Sequence, residues 1–239
     1  MKKIVVLLMT GILVIGMGCG KEEAGGMEEL HGKPAKEDVL MGAAGAAEMD
    51  VSYGTIESLM QDAELVVYAE AKDFKYVVEN GSVSTDETIE VLECLYGDVE
   101  EGEQITIFKM GGYAKLQEYF DSYEEEFREQ VRNSMAFANL TDEEVETKYI
   151  SFFPDGEVDT DVGSRSVYFL RKSDVGEGMY ERVGAYEGEY VELSNGDYKI
   201  PGMETYDELE NAITADTEDM QGLENCMISW DEIKEQMGL

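Results

Sequence analysis

Residues 64–112, ELVVYAEAKDFKYVVENGSVSTDETIEVLECLYGDVEEGEQITIFKMGG, decide the fold because they read as three consecutive β-strands. Apolar residues alternate over 65–71, and the alternation shifts phase by one position near Asp73. Such a shift indicates a β-bulge, which bends a long strand around a barrel corner. Asn80-Gly81 supplies two residues that tolerate positive φ, so a tight hairpin turn is predicted between the first two strands.

Further strands follow this hairpin. The returning strand is predicted from Thr85 to Tyr96, and Ile105 and Ile107 mark one face of the next. Four more are predicted at 166–171, 179–184, 187–193 and 197–200. About seven short strands at turn-marked spacing are typical of a small barrel or sandwich.

A helical segment interrupts the strands from Tyr113 to about Glu146. Apolar residues recur at helical spacing from Leu116 to Met135, with acidic residues opposite them, so one inserted amphipathic helix is predicted. Its aromatic stripe is a candidate docking ridge for a partner, with packing against its own domain as the alternative. The candidate residues are Tyr119, Phe120, Tyr123 and Phe127.

Short helices are predicted at the C-terminal end, where residues 203–239 form an appendage. Thr205 with Glu208 and Ser229 with Glu232 fit the capping box, which marks helix starts. The last helix is predicted to dock on the barrel through an apolar face.

The N-terminus carries an export signal. Lys2 and Lys3 precede an apolar run that is too short to span a bilayer, so residues 1–18 are interpreted as a signal peptide. The stretch VIGMGCGKEE, residues 14–23, resembles the lipobox of bacterial lipoproteins, in which the cysteine after the cleavage site receives diacylglycerol and becomes the mature N-terminus. By this resemblance Cys19 is the lipid attachment residue.

Two features of the lipobox differ from the family pattern: Gly16 stands where the family usually has Leu, and Met17 where it usually has a small or β-branched residue. Two acyl chains on one residue give stable membrane anchoring. We therefore expect a lipid-anchored protein on the extracytoplasmic face of the cell membrane. Residues 19–50 are predicted to be a flexible linker, and residues 51–239 a single barrel domain with its helical additions.

The strand pattern of 64–112, followed by SVYFLRKS at 166–173 and YEGEYVELSNGDYKIP at 186–201, resembles small OB-like barrels of uncharacterised bacterial surface proteins. The fold expected is mainly β with helical additions: an OB-like barrel of about seven strands, an inserted amphipathic helix and short C-terminal helices. The resemblance implies no activity, because OB barrels carry unrelated functions.

The net charge limits the kinds of partner that the protein is expected to bind. The chain has 54 acidic and 18 basic residues, a formal net charge of −36. Such a field repels polyanions, which argues against nucleic acid as a partner. The lipid anchor is expected to make the contact with the membrane, and another envelope protein is a candidate partner.

Catalytic motifs are missing from the sequence. The only histidine, His31, lies in the predicted linker, which argues against Ser/His/Asp and Cys/His chemistry. The zinc-hydrolase, P-loop and dinucleotide-binding signatures do not occur. A carboxylate pair acting on envelope glycans stays open as an alternative among 54 acidic residues.

An acidic cluster, PDGEVDTDVGS at 154–164, places Asp155, Glu157, Asp159 and Asp161 at alternating positions. Oxygen ligands at this spacing suit Ca²⁺, so calcium binding is a candidate and a solvated loop is the alternative. No other cofactor is expected.

Two further sets of residues leave alternatives open. Cys94 and Cys226 could form a disulfide or be buried thiols. Five of the scarce basic residues lie in the second half of the strands and could line an anion-accepting face or pair with neighbouring acids. They are Arg165, Arg171, Lys172, Arg182 and Lys199.

From these observations we expect a membrane-anchored extracytoplasmic lipoprotein that acts as a binding or interaction module without catalysis. A carboxylate-dependent glycan hydrolase and a calcium-binding surface protein are the alternatives.

Overall fold

The computed structural model describes residues 32–45, 52–203, 205–214 and 223–239. The predicted signal peptide, its Cys19 and the only histidine lie outside these residues. The described chain is mainly β with helical additions, which confirms the predicted class.

The described residues form eleven strands and six α-helices. The strands are β1 Val39–Gly45, β2 Leu65–Glu79, β3 Ser82–Tyr96, β4 Gln104–Met110, β5 Gly112–Lys115, β6 Tyr149–Pro154, β7 Arg165–Lys172, β8 Tyr180–Arg182, β9 Glu189–Val191, β10 Tyr198–Lys199 and β11 Met227–Ile228. The helices are α1 Ile56–Asp62, α2 Leu116–Asp121, α3 Glu125–Arg132, α4 Asp142–Thr147, α5 Tyr206–Thr214 and α6 Trp230–Met237.

The main sheet has six strands in the order β2-β3-β4-β8-β7-β9. Strand β2 also pairs antiparallel with β7, so the pairings β2-β3-β4-β8-β7 lead back to β2. All these pairs are antiparallel except β4 with β8. The three strands predicted within residues 64–112, β2, β3 and β4, are therefore consecutive neighbours in the main sheet.

The long β2–β3 hairpin has both predicted irregularities. Its register shifts between Ala71 and Asp73, where the hydrophobic phase changes. At the turn, Asn80 has φ 49° and Gly81 has φ 77°, the left-handed pair that an Asn-Gly hairpin requires. The bulge and the turn are both confirmed.

Side-chain alternation divides the main sheet into two faces. One face carries an apolar cluster that includes Val67, Ile89 and Ile107. The opposite face packs its own cluster, with Phe169 at its centre, beneath α1 and α6. The predicted docking of the last helix is confirmed, because Ile233 is fully buried there.

The helical insert is different from the prediction of one helix. It contains strand β5, helices α2, α3 and α4, and strand β6, which pairs with β5. Phe120 and Phe137 pack in the same apolar cluster with ring centroids 5.1 Å apart. A straight helix at about 1.5 Å per residue would separate these positions by about 25 Å, so burying both rings requires the chain to turn back.

The predicted flexible linker is also partly wrong. Its residues 36–38 form a 3-10 turn, and Val39–Gly45 form β1, which pairs in parallel with β6. Lys148 reinforces this contact through Asp38, at 2.7 Å. Strand β1 therefore belongs to a separate three-stranded sheet of order β1-β6-β5. It pairs there because the edge of β6 offers free backbone hydrogen-bonding groups.

Candidate functional site

Five charged side chains meet in the interior beside the main sheet. Glu87 comes from β3, Lys109 from β4, Arg182 from β8 and Glu189 from β9, while Glu157 lies in the loop after β6. Each of these side chains is at most 6% exposed. We call these five residues the buried charge cluster.

Direct ion pairs hold the cluster together. Arg182 donates to both carboxylate oxygens of Glu157, at 2.7 and 2.6 Å, and to Glu189 at 2.7 Å. Lys109 Nζ lies 2.9 Å from Glu189 Oε2 and 3.3 Å from Glu87 Oε2. Glu189 is therefore shared between the two cations, and the pairing of Arg182 with Glu157 has the two-point geometry that favours arginine.

Hydroxyl groups donate to two of the carboxylates, while Glu87 Oε2 has no hydrogen-bond partner among the described residues and only the ammonium of Lys109 nearby. Tyr168 donates to Glu87 at 3.0 Å, and Ser166 donates to Glu189 at 3.3 Å. Burial raises the pKa of Glu87 above its usual 4.5 despite the nearby ammonium of Lys109. Burial opposes ionisation of Glu189 too, but Lys109 and Arg182 together hold the pKa of Glu189 below its usual value. The two carboxyls therefore differ in proton affinity.

Lys199 lies at the edge of this cluster and is also buried. Burial lowers the pKa of its ammonium group, while the charges of Glu189 and Glu157 act in the opposite direction. With Lys199, three basic and three acidic side chains share this interior. Near-balance of charge is what permits so many ionisable groups away from water.

A small cleft of about 20 Å³ opens beside the cluster. Lys109 and Glu157 lie at its floor, and Tyr76 and Phe153 form part of its walls. Thr160 also lines it, with a buried hydroxyl oxygen that has no hydrogen-bond partner among the described residues.

The chemistry of this cleft does not match a glycan hydrolase. Such an enzyme needs a carboxyl of raised pKa at the reacting bond. Glu87 has the raised pKa, but its side chain is fully buried and contacts Tyr168 and Lys109. Glu157, which does line the cleft, is held by Arg182.

The acidic cluster of the sequence does not converge. Asp155 is exposed, Glu157 turns inward to Arg182, and Asp159 accepts a hydrogen bond from Tyr113. Asp159 and Asp161 each lie 3.2 Å from Lys33. Within the ranges described, no group of three or more acidic, histidine or cysteine side chains is placed to hold a metal ion.

The predicted docking ridge divides into a core part and an open part. Phe120 and Tyr119 are both buried in the insert's own cluster, 2% and 7% exposed, which agrees with the alternative of packing against the same domain. Together with the more exposed Tyr123 and Phe127, Tyr119 lines one side of an open groove of about 630 Å³. The other lining residues are Gln130, Val131, Ser134 and Phe137. We call this feature the insert groove.

Tyr119 and Tyr123 fix one wall of the insert groove. Their hydroxyl groups are 2.7 Å apart, and their rings meet edge to face with centroids at 5.3 Å. Tyr123 also covers the β2–β3 turn, because a Cβ on Gly81 would clash with its ring. The long hairpin therefore supports this wall.

Helix α3 forms the other wall. None of its residues is fully buried: Val131 is half-buried against the insert's apolar cluster, and Phe127 is 49% exposed. Most apolar side chains of this size are covered in folded domains. The groove side of α3 is therefore partly uncovered, at Phe127 above all.

The remaining candidates of the sequence lie apart from one another. Cys94 and Cys226 are free, half-buried thiols, so the candidate disulfide is not formed; Cys94 packs against the apolar cluster of the main sheet. Arg165 and Arg171 form surface pairs with neighbouring acids rather than an anion-accepting face.

Comparisons of this chain with protein-family models, curated proteins and solved structures found no match. Over the described residues, no helix is both long enough and apolar enough to cross a membrane.

Proposed function

We propose that this protein is a lipid-anchored extracytoplasmic binding module, without catalysis, built on an OB-like barrel. The pairing circuit β2-β3-β4-β8-β7 supports the barrel, since five strands in a closed or nearly closed circuit are the OB arrangement. The bulge near Lys72 in β2 supports it too, because bulges allow long strands to bend around corners.

The observation that carries the binding role is the insert groove. It is open, lined mainly by aromatic and aliphatic side chains, and bounded by a helix with no buried residue. Uncovered apolar surfaces on folded domains commonly mark interaction sites. The buried charge cluster supports a scaffold role, because most of its charged groups pair with one another.

The anchor is tested first. Cys19→Ala is expected to leave the precursor uncleaved or to release the protein from membranes, because the acyl chains have no other attachment residue in the lipobox. Membrane fractionation of cells that express the variant measures this. Cys94→Ala, which removes a free thiol of the domain, is the matched control and should remain in the membrane fraction. Unchanged processing and retention of the Cys19 variant would contradict the anchor.

The binding role is tested by crosslinking in intact cells. With p-benzoylphenylalanine in place of Phe127, we expect a discrete protein adduct, because this half-exposed ring lies in the groove. The control position is Val175, which is exposed on the loop between β7 and β8. Val131→Glu should reduce the adduct by placing a charge in the groove. No adduct at 127, or the same adduct at both positions, would contradict the proposal.

A further inference from the structure

The insert groove lies in a strongly acidic part of the insert. Residues 116–137 contain six acidic and two basic residues, a net charge of −4. Both basic residues are occupied: Arg128 lies 3.3 Å from Asp121, and Arg132 pairs with Asp142. Two exposed carboxylates flank the groove: Glu124 and Glu126, which helical spacing of about 100° per residue places at the sides of the groove-lining residues Phe127 and Val131. Glu125 and Glu129 lie on the opposite side of α3.

This charge excludes several occupants. A second copy would bring two acidic rims together, which like-charge repulsion disfavours. The chain's own segments at 20–31, 46–51 and 215–222 carry net charges of −3, −2 and −3, so they are repelled as well. Residues 1–18 are basic and apolar but are predicted to be removed. Anionic lipid headgroups are repelled like the acidic segments.

We infer that the insert groove binds a basic amphipathic helix of a partner protein. This inference rests on the proposed binding function and names the partner's chemistry. The partner's apolar face contacts Phe127 and the accessible parts of Tyr123 and Val131, and its Lys or Arg residues lie near the rim carboxylates Glu124 and Glu126. A groove with an apolar floor and charged edges is the arrangement that recognises helices by anchors at i, i+3 or i+4, and i+7.

The polarity of the groove agrees with this occupant. Its volume of about 630 Å³ lies within the range of small-molecule sites, about 300–1,000 Å³, so the lining of the groove rather than its size distinguishes the two kinds of ligand. Polar lining is limited to the Tyr119–Tyr123 hydroxyl pair, Gln130 and Ser134. Such a surface favours several apolar side chains over one polar ligand. Met135, which follows α3, is 97% exposed and can extend the contact.

A defined peptide tests the inference. The full chain, anchored in phosphatidylcholine nanodiscs, is titrated with a fluorescent Leu/Lys peptide of about 18 residues that forms five helical turns. We expect saturable binding, read as anisotropy, that empty nanodiscs do not show. A Leu/Glu peptide of the same pattern should bind at least about 100-fold more weakly, because like charges meet at the rim. A Lys-containing scramble without the apolar face should also bind weakly.

Two pairs of variants separate the groove from general charge attraction. Phe127→Ala should weaken binding at least about tenfold, as expected of an interface anchor, whereas Val175→Ala should not. Glu124→Lys with Glu126→Lys should weaken it about tenfold and reduce its dependence on salt. The control is Glu100→Lys with Glu101→Lys, which changes the net charge equally in the exposed loop between β3 and β4.

Several results would overturn the inference. Equal weakening by the control pair would assign binding to the general acidity of the chain, and equal binding of the Leu/Glu peptide would remove the role of charge. Self-association that depends on Phe127, measured by sedimentation, would identify a second copy as the occupant. If a partner is crosslinked at position 127 in cells but the Leu/Lys peptide does not bind, the binding function is supported and the basic helix as its occupant is refuted. If neither the crosslink nor peptide binding is observed, both proposals are refuted.

Discussion

Arg182→Met is expected to lower the free energy of unfolding by about 3–5 kcal/mol, the usual cost of removing one partner from a buried ion pair. Arg182 is 2% exposed and donates to Glu157 and Glu189. Without it, two carboxylates stay buried with Lys109 as their nearest remaining cation. Denaturant unfolding followed by fluorescence of Trp230, the only tryptophan, measures the loss.

A matched surface pair provides the control. Arg171 lies on β7, the strand that pairs with β8. It binds Glu181 at 2.7 Å, but its side chain is 45% exposed. Arg171→Met should therefore cost less than about 1 kcal/mol, as surface pairs do. Arg182→Lys should fall between the two, because lysine keeps the charge and loses the two-point contact. A loss below about 1 kcal/mol for Arg182→Met would show that the cluster's carboxylates are solvated or neutral, against the contacts described.

The hairpins of the main sheet were predictable because their signals are local. The phase change near Asp73 and the Asn80-Gly81 turn each lie within a few residues of the structure they specify. Part of the buried charge cluster has a local signal as well. Glu87 lies in phase with the buried residues Thr85 and Ile89, so alternation alone places a carboxylate on an inward face.

The partners of that carboxylate were not predictable in the same way. Lys109, Arg182 and Glu189 come from three other strands, and their meeting depends on pairings between distant parts of the chain. The spacing of two within an acidic loop made Glu157 a candidate calcium ligand, with a solvated loop as the alternative. The structure turns it inward, where Arg182 donates to both of its carboxylate oxygens.

The helical insert shows a similar limit. Its apolar spacing was recognised correctly, but spacing alone does not report where a helix ends. The break at Ser122 to Glu124 and the second break after Asn133 follow from the need to bury Phe120 and Phe137 together. Strand β1 was missed because its Gly- and Ala-rich sequence has no alternation, and its pairing partner lies more than 100 residues away.

Lys109→Met is expected to destabilise the protein in a manner that depends on pH. Lys109 lies between Glu87 and Glu189, and removing it leaves Glu87 without its nearest cation. At pH 8 the loss should again be about 3–5 kcal/mol, because a buried carboxylate then lacks compensation. The same denaturant titrations, repeated between pH 5 and pH 8, measure how the loss changes.

The direction of the pH effect follows from Glu87. Its pKa is already raised by burial, and Lys109 acts to lower it, so the variant should raise that pKa further. A carboxyl whose pKa is higher in the folded than in the unfolded state stabilises most below the unfolded value, near 4.5, and loses this contribution as pH rises through the folded value. The deficit of Lys109→Met should therefore shrink by more than about 1 kcal/mol from pH 8 to pH 5, one pKa unit being worth 1.36 kcal/mol.

In the unsubstituted protein, the free energy of unfolding should fall as pH falls below about 4.5. Glu189 has a pKa held below 4.5 by Lys109 and Arg182, so its contribution is present above pH 4.5 and is lost as pH falls through its folded pKa. Adding Glu87→Gln to Lys109→Met removes the carboxyl that takes up the proton. The double variant should then have a nearly constant deficit between pH 5 and pH 8. If the single variant already had a constant deficit, Glu87 would not be the carboxyl that Lys109 compensates, and the assignment of the proton to Glu87 would be wrong.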